Sequence, residues 1–285
     1  MELTFKEFLR HGKDQLSAAG FPEVEAEILL AHVLGISRMQ LHNPVEVENA
    51  LAAISDMTIV EETFWSLLDR RVAHEPLQYL TGVAHFRYLE LQVGPGVLVP
   101  RPESELLVQA VLDRIDSHAP AISVVDLGAG SGALTLAIAT EAPNTHVIAV
   151  EKDPEALTWL RANVAAISED VRILEVDVAD ALIGVQCDVV LANPPYIPDS
   201  QELPRDVAEH EPAFALFGGP DGMDVPRQFI ATATRLLKDG GLLAIEHHET
   251  QGDAIADALR SDFSEITLHQ DLVGRPRFTT AVRSK

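Results

Sequence analysis

Apolar residues in the first 75 positions recur at helical spacing. Thr4 and Glu7 have the spacing of a capping box ahead of Phe5, Phe8 and Leu9. A second helix is predicted with Pro22 as its first residue, Val24, Ile28 and Ala31 on one face, and Gly35 as its stop. Thr58 and Glu61 make another capping box, opening a helix through Phe64, Trp65, Leu67 and Leu68 that must end before Pro76. With shorter pieces near 37–42 and 47–54, residues 1–75 form a small bundle of four or five helices.

Between Pro76 and Pro102 the period changes. Leu89, Leu91 and Val93 alternate with Glu90 and Gln92, as in a half-buried strand. The turn Gly94-Pro95-Gly96 leads to Val97-Leu98-Val99 and the rigid Pro100-Arg101-Pro102. Residues 76–102 are therefore expected to be a β-hairpin linker. From Glu103 to the end, helical and strand patterns alternate, with strands expected at 122–127, 147–150, 171–176, 189–192, 242–245, 266–268 and 278–282. Strands separated mostly by helices imply an α/β domain over 103–285, doubly wound around a parallel core. The last two strands are joined by a loop containing Gly274 that is too short for a crossover helix, so that pair should be antiparallel.

Charge narrows the choice of partners. The formal net charge is −23, a field that repels phosphate backbones. Residues 1–75 carry six basic and thirteen acidic side chains, which argues against a DNA-reading module, so direct nucleic-acid binding is not expected. The one cysteine, Cys187, excludes a disulfide framework and a cysteine-based metal site. The first residues lack the basic and apolar regions of a signal peptide. No apolar run reaches the ~18 residues a membrane span needs. A cytoplasmic protein without a membrane role is expected.

Candidate chemistry begins at Asp126-Leu127-Gly128-Ala129-Gly130-Ser131-Gly132, where the first strand of the α/β domain turns into a helix. Glycines there let the backbone approach a ligand closely, at the strand end where open α/β sheets bind ligands. Glu151 closes the second strand, 21 residues after Gly130, and a carboxylate there can accept both hydroxyls of an adenosine ribose. The loop taken alone leaves two cofactors open. Gly128-x-Gly130-x-x-Ala133 fits a relaxed dinucleotide fingerprint, whereas Asp126-x-Gly128-x-Gly130-x-Gly132 resembles the first motif of S-adenosylmethionine-dependent methyltransferases.

A second motif decides between them. The fourth strand runs directly into Asn193-Pro194-Pro195-Tyr196. Two prolines fix φ and remove two backbone donors, leaving a rigid corner with two acceptors, the Asn193 side-chain oxygen and the Pro194 carbonyl. Such a pair suits a planar –NH₂ group, which has two hydrogens to give. Holding both disfavours conjugation of the nitrogen lone pair and aims it at a sulfonium methyl, with catalysis by positioning and fixed dipoles. Tyr196 would offer an aromatic surface to the planar group. A hydride-transfer enzyme has no use for this clamp.

With these motifs the chain resembles the HemK-type protein-glutamine N5-methyltransferases that modify peptide-chain release factors. The resemblance extends over nearly the whole chain. It includes Glu75-Pro76-Leu77-Gln78-Tyr79-Leu80-Thr81-Gly82, Val99-Pro100-Arg101-Pro102-Glu103-Ser104-Glu105, the segment from Glu211-Pro212 to Asp221-Gly222, and Asp271-Leu272-Val273-Gly274-Arg275-Pro276-Arg277-Phe278. Asn-Pro-Pro-Tyr alone is shared with adenine-N6 methyltransferases; the combination is far more specific. The resemblance implies a seven-stranded doubly wound Rossmann-like methyltransferase sheet. It also implies methyl transfer from S-adenosylmethionine to the glutamine side-chain amide in the Gly-Gly-Gln motif of release factors. By motif, Gly128, Ala129, Gly130, Ser131 and Gly132 would line the methionine part of the cofactor, Glu151 would hold the ribose, and Asp177 and Val178 would flank the adenine. Asn193 would adjoin the cofactor and, with Pro194, Pro195 and Tyr196, grip the substrate amide. Val178 stands where the family often has an aromatic residue. The helical bundle would be a docking surface for the release factor or, alternatively, a structural cap.

Other candidates carry less. Glu246-His247-His248-Glu249 ends a strand, but adjacent strand residues point to opposite faces, so no metal site is expected and pocket-wall or surface roles are. Ser131 lacks the Gly-x-Ser-x-Gly setting of a hydrolase nucleophile. The proline- and glycine-rich stretch 197–226 is expected to wall one side of the substrate opening. Arg101 would either contact the protein substrate or pair with an acid.

Overall fold

The computed structural model describes residues 5–54, 56–115 and 121–285. Thr4, and with it the first expected capping box, lies outside the described residues. Two compact units are present: Met1–Gly82 together with Pro204–His210, and Val83–Leu203 together with Glu211–Lys285. No helix among the described residues is long and apolar enough to cross a membrane.

The first unit is helical: α1 (Phe5–Ala18), α2 (Val24–Leu34), a 3₁₀ turn (Arg38–His42), α3 (Pro44–Ala53), α4 (Met57–Val72) and α5 (Leu77–Thr81). Phe8, Leu16, Leu29, Leu30, Phe64 and Leu68 are buried together. Gly12 lets α1 and α4 approach closely, since a Cβ there would lie 2.7 Å from the Phe64 ring. Helix α2 stops as expected at Gly35, which takes φ 65°. Its start differs: the Glu25 amide bonds the Pro22 carbonyl in an i+3 turn before the helix begins at Val24. Helix α4 also opens earlier than Thr58. Asp56 is its cap, accepting from the Thr58 amide at 2.9 Å, where a carboxylate also meets the positive end of the helix dipole.

The linker expected at 76–102 is different in form. Its first residues make α5, which ends at Gly82 with φ 73°, so the helical unit extends beyond residue 75. The hairpin pairs β1 (Val83–Phe86) with β2 (Leu89–Gln92), and Val97-Leu98-Val99 is not a strand. The polar groups explain this. Both backbone groups of Gln92 are taken by the Asn163 side chain, at 2.7 and 2.9 Å. The Trp159 indole likewise donates to the Pro95 carbonyl at 3.0 Å. At the hairpin tip Arg87 takes φ 51°, held by Glu141 through two 2.6 Å bonds.

The second unit continues with α6 (Ser104–Leu112), β3 (Ile122–Leu127), α7 (Ala133–Glu141), β4 (Thr145–Glu151), α8 (Pro154–Ile167), β5 (Arg172–Glu175) and β6 (Cys187–Ala192). The short helix α9 (Arg205–Ala208) belongs to the helical unit, and α10 (Asp224–Leu236), β7 (Leu237–Glu246), α11 (Gly252–Leu259), β8 (Phe263–Gln270) and β9 (Pro276–Arg283) complete the second. The seven-stranded sheet has the order β5-β4-β3-β6-β7-β9-β8. Neighbours from β5 to β7 are parallel, and β9 is antiparallel to both β7 and β8. Alternation along β3 splits the core between the two faces. Val124 packs with Leu107, Leu136 and Leu160, and Val125 with Phe229, Ile230 and Ile255. Between β3 and β6 the chain order reverses, and the carboxyl ends of strands at such a point form the natural crevice of an open α/β sheet.

Candidate functional site

The crevice begins with the loop between β3 and α7. Gly128 and Gly130 take φ 71° and 56°, conformations that side chains resist. The amides of Gly128 and Ala129 bond the Val150 carbonyl at 2.9 and 3.0 Å, tying the loop to the end of β4. Glu151 follows there, 9% exposed. Its Oε2 accepts from the Gly130 amide at 2.9 Å, and its Oε1 from Lys152 and Asp153 at 2.8 and 2.9 Å. Three backbone donors thus set the direction of this carboxylate, and Oε2 keeps the freer acceptor position.

A cavity of ≈ 220 Å³ opens beside the loop. Of the sequence-predicted cofactor residues, Gly128, Ala129, Gly130, Ser131, Glu151, Asp177, Val178 and Asn193 line it. Gly132 does not. It starts α7 at φ 87°, where a Cβ would come 2.8 Å from Leu160, so close packing is its role. Asp177 caps a 3₁₀ turn through the Ala179 amide and takes a 2.8 Å bond from Lys152, which holds its carboxyl below the usual range.

The Asn193-Pro194-Pro195-Tyr196 corner reaches the same cavity through Asn193 and Pro195; Pro194 is buried and does not line it. Tyr196 does not line it either, contrary to the expected stacking surface. Tyr196 is half-buried, and its hydroxyl donates to Glu246 Oε1 at 3.0 Å. The Tyr196 carbonyl accepts from the Gln251 side chain at 2.9 Å. Glu246, at the end of β7, also accepts from the Ser104 hydroxyl, Oγ to Oε2 2.5 Å. Asn193 Nδ2 in turn donates to Ser104 Oγ at 3.3 Å.

Burial raises the Glu246 carboxyl above its ordinary range. The Tyr196 hydroxyl is raised by burial and by the neighbouring Glu246 charge. Burial works to lower Arg277, but Tyr196 and Glu246 beside it outweigh this and hold it charged. Under the glycine loop Asp126 is fully buried, and burial pushes it up to about 6. Its Oδ2 accepts from Thr135 at 2.5 Å, while Oδ1 has no partner.

The pocket-wall or surface role expected for 246–249 fails at its first two positions, since Glu246 and His247 are interior. The His247 ring bonds Thr279 Oγ1 at 3.0 Å and the His248 carbonyl at 2.8 Å, and burial keeps it neutral. Among the described residues no group of three or more His, Cys, Asp or Glu is placed to hold a metal. Arg101 pairs with Glu211 at 2.7 Å. Phe214, Ala215 and Val225, all from the 197–226 stretch, line the cavity.

Val97, Leu98 and Pro100, expected as part of the linker, line the cavity too, as does Ser104 at the start of α6, for which no site role was expected. Glu246 stands behind the cavity wall, bonded to Ser104 and Tyr196, a role different from the pocket-wall or surface one expected. The available signal was its position, an acid at the carboxyl end of the strand beside β6.

These residues make a cradle suited to a nucleoside cofactor of net positive charge. The loop backbone is open to close approach, the carboxylates of Glu151 and Asp177 line the cavity, and Phe229 and Val178 supply apolar wall. The carboxylates of Glu151 and Asp177 at its wall fit a cationic ligand better than an anionic one.

Comparison with known proteins bears on the same regions. Residues 7–82 match the model of the PrmC N-terminal domain, and residues 102–210 that of the Methyltransferase small domain. The chain is 44% identical to a release factor glutamine methyltransferase of Mycolicibacterium smegmatis, over 94% of each chain. It is 40% identical to the Streptomyces coelicolor protein of the same name, again over 94% of each. Among solved structures, the 16S rRNA N2 G1207 methyltransferase of T. thermophilus, in complex with AdoMet and guanosine, is similar. The TM-score is 0.52 at 22% identity, covering 71% of this chain and 50% of that one. A methyltransferase from Pyrococcus furiosus gives 0.52 at 19% identity, covering 69% and 90%. Both likenesses concern the fold.

Proposed function

Because the chain belongs to the release factor glutamine methyltransferase family, we propose that it methylates the side-chain amide of the glutamine in a release factor's Gly-Gly-Gln motif, using S-adenosylmethionine. The observation that carries this reading is that Asn193 and the Gly130–Glu151 pair line one cavity. An acceptor for an –NH₂ group thereby stands beside a cradle for a nucleoside.

S-adenosylmethionine supplies an electrophilic methyl on a sulfonium. The loop residues Gly128, Ala129, Gly130 and Ser131 would hold its amino-acid part, Glu151 would accept from the ribose, and Asp177 and Val178 would border the base. Oδ1 of Asn193, which lines the cavity, and the carbonyl of the next residue, Pro194, which does not, are the proposed acceptors for the two hydrogens of the substrate amide, and Pro195 shapes the rim. A primary amide is a weak nucleophile because its lone pair is delocalised. Fixing both hydrogens turns that lone pair toward the methyl, so the gain comes from orientation and prearranged dipoles. The two acceptors cannot take up a proton, so the hydrogen lost from nitrogen after transfer goes to solvent. Phe214 and Ala215 close one side of the cavity, and the helical unit docks the release factor.

The test is transfer of labelled methyl from S-adenosylmethionine to a purified bacterial release factor, its Gln→Ala variant in the Gly-Gly-Gln loop, and duplex DNA. Label on the intact factor alone is expected. Label on DNA alone would keep the amine clamp and overturn the substrate.

A further inference from the structure

The Asn193 amide does not stand alone; it begins a line of hydrogen bonds that ends in a buried carboxylate. Asn193 Nδ2 donates to Ser104 Oγ at 3.3 Å, Ser104 Oγ to Glu246 Oε2 at 2.5 Å, and the Tyr196 hydroxyl to Glu246 Oε1 at 3.0 Å. Ser104 and Glu246 are 142 residues apart in sequence, and they are 3% and 1% exposed.

A hydroxyl has one proton to give. Ser104 gives its proton to Glu246, so toward Asn193 it can only accept, and Asn193 must present its –NH₂ end. The other end, Oδ1, is then the one left for a ligand. The two ends of an asparagine amide are nearly the same size, so sterics alone would not choose between them. Tyr196 is tied to the same carboxylate, which braces both ends of the Asn-Pro-Pro-Tyr corner against one point.

We infer that Ser104 and Glu246 are positioning residues that fix the Asn193 amide with its oxygen toward the substrate, making the acceptor geometry of the clamp depend on a carboxylate outside the motif. The inference rests on the reading of Asn193 as acceptor for the substrate amide.

The state of Glu246 matters for the same reason. As a carboxylate it accepts from both hydroxyls. Once protonated, it can donate to Ser104 Oγ, whose own hydrogen is freed to swing toward Asn193 and draw Oδ1 away from the substrate. The groups facing Glu246 act in both directions. From the start of α6 come Ser104 and the acidic Glu103, from the loop after β6 comes Tyr196, and from β9 comes the cationic Arg277; Ser104, Tyr196 and Arg277 favour the carboxylate, Glu103 opposes it. Burial outweighs them and raises the group, so loss of the acceptor geometry is expected on the acid side as pH falls through that raised value.

Ser104→Ala, Ser104→Thr, Glu246→Gln and Asn193→Ala, each in the full chain, would be compared for kcat and KM with release factor from pH 5 to 9. Binding of S-adenosylmethionine would be measured by calorimetry. Loss of one buried hydrogen-bond partner at a positioned group predicts a ~10- to ~100-fold fall in kcat for Ser104→Ala and Glu246→Gln. Cofactor affinity should stay within ~3-fold, Ser104→Thr should recover most of the rate because it keeps the hydroxyl, and Glu246→Gln should lose the acid limb of the profile. Wild-type kcat in Ser104→Ala with an inactive Asn193→Ala would overturn this inference and leave the clamp standing. So would a Ser104→Thr enzyme as slow as the alanine variant. Full activity in Asn193→Ala would instead remove the clamp itself. Should Glu246→Gln not fold, the Ser104 pair alone decides.

Discussion

The backbone amide of Gly130 donates to Glu151 Oε2 at 2.9 Å, so the glycine loop and the acid 21 residues later form one hydrogen-bonded unit. With Lys152 and Asp153 on the other oxygen, the carboxylate is aimed by three amides. Glutamine cannot reproduce this, because one end of its side chain would present an –NH₂ to an N–H donor. Glu151→Gln should raise the dissociation constant for S-adenosylmethionine by ~10- to ~100-fold, about 1.4–2.8 kcal/mol. Calorimetric titration checks this, and an unchanged affinity would remove Glu151 from the cofactor site.

Asp126 is a stability cost kept under the loop. Its folded-state pKa is raised from 3.8 to about 6 by burial, with Thr135 opposing and Glu151 adding to the rise. The folded protein therefore holds this proton more tightly than the unfolded chain. Stability from the group is complete below pH 3.8 and is lost as pH rises through about 6. Asp126→Asn should stabilise the protein by roughly 2–3 kcal/mol at pH 8, a gain that shrinks as pH falls from 6 toward 4. The same variant should bind the cationic cofactor more weakly. Chemical denaturation at several pH values tests the first statement, and a gain independent of pH would contradict it.

Two glycines with similar backbone angles should respond differently to alanine. Gly132 (φ 87°) would place a Cβ 2.8 Å from Leu160, whereas Gly240 (φ 81°) has nothing within 4 Å. Gly240→Ala meets only the left-handed backbone penalty, about 1 kcal/mol. Gly132→Ala adds a steric clash at the start of α7 and should cost about 2–4 kcal/mol in all. Thermal melts of the pair would show whether this ordering holds.

Cys187 makes a convenient probe of global unfolding. It is the one cysteine in the chain, 3% exposed, and burial pushes its thiol up to about 12. A thiol that is neither ionised nor reachable reacts slowly. In native buffer a maleimide should label it only at the rate of unfolding, and in denaturant within seconds. Fast native labelling would mean that β6, the strand carrying Asn193, opens locally.

Local patterns along the chain suffice for the alternation of helix and strand, the antiparallel last pair, the glycine loop, Glu151 and the Asn-Pro-Pro-Tyr corner. Each is written in a run of neighbouring residues: period two or period 3.6, glycines where φ must be positive, prolines where it must not move. Relations between distant residues emerge only once the chain is folded. The hairpin sits at 83–92, and Asn163, far along the chain, occupies the backbone groups of Gln92 that a strand at 97–99 would have used, while Trp159 holds the carbonyl of Pro95. Gly132 packs against Leu160 and does not line the cavity. Glu246 and Ser104 meet across 142 residues. No periodicity marks such pairs, because a hydrogen bond between side chains depends on where the sheet and its helices bring them and not on their spacing in the chain.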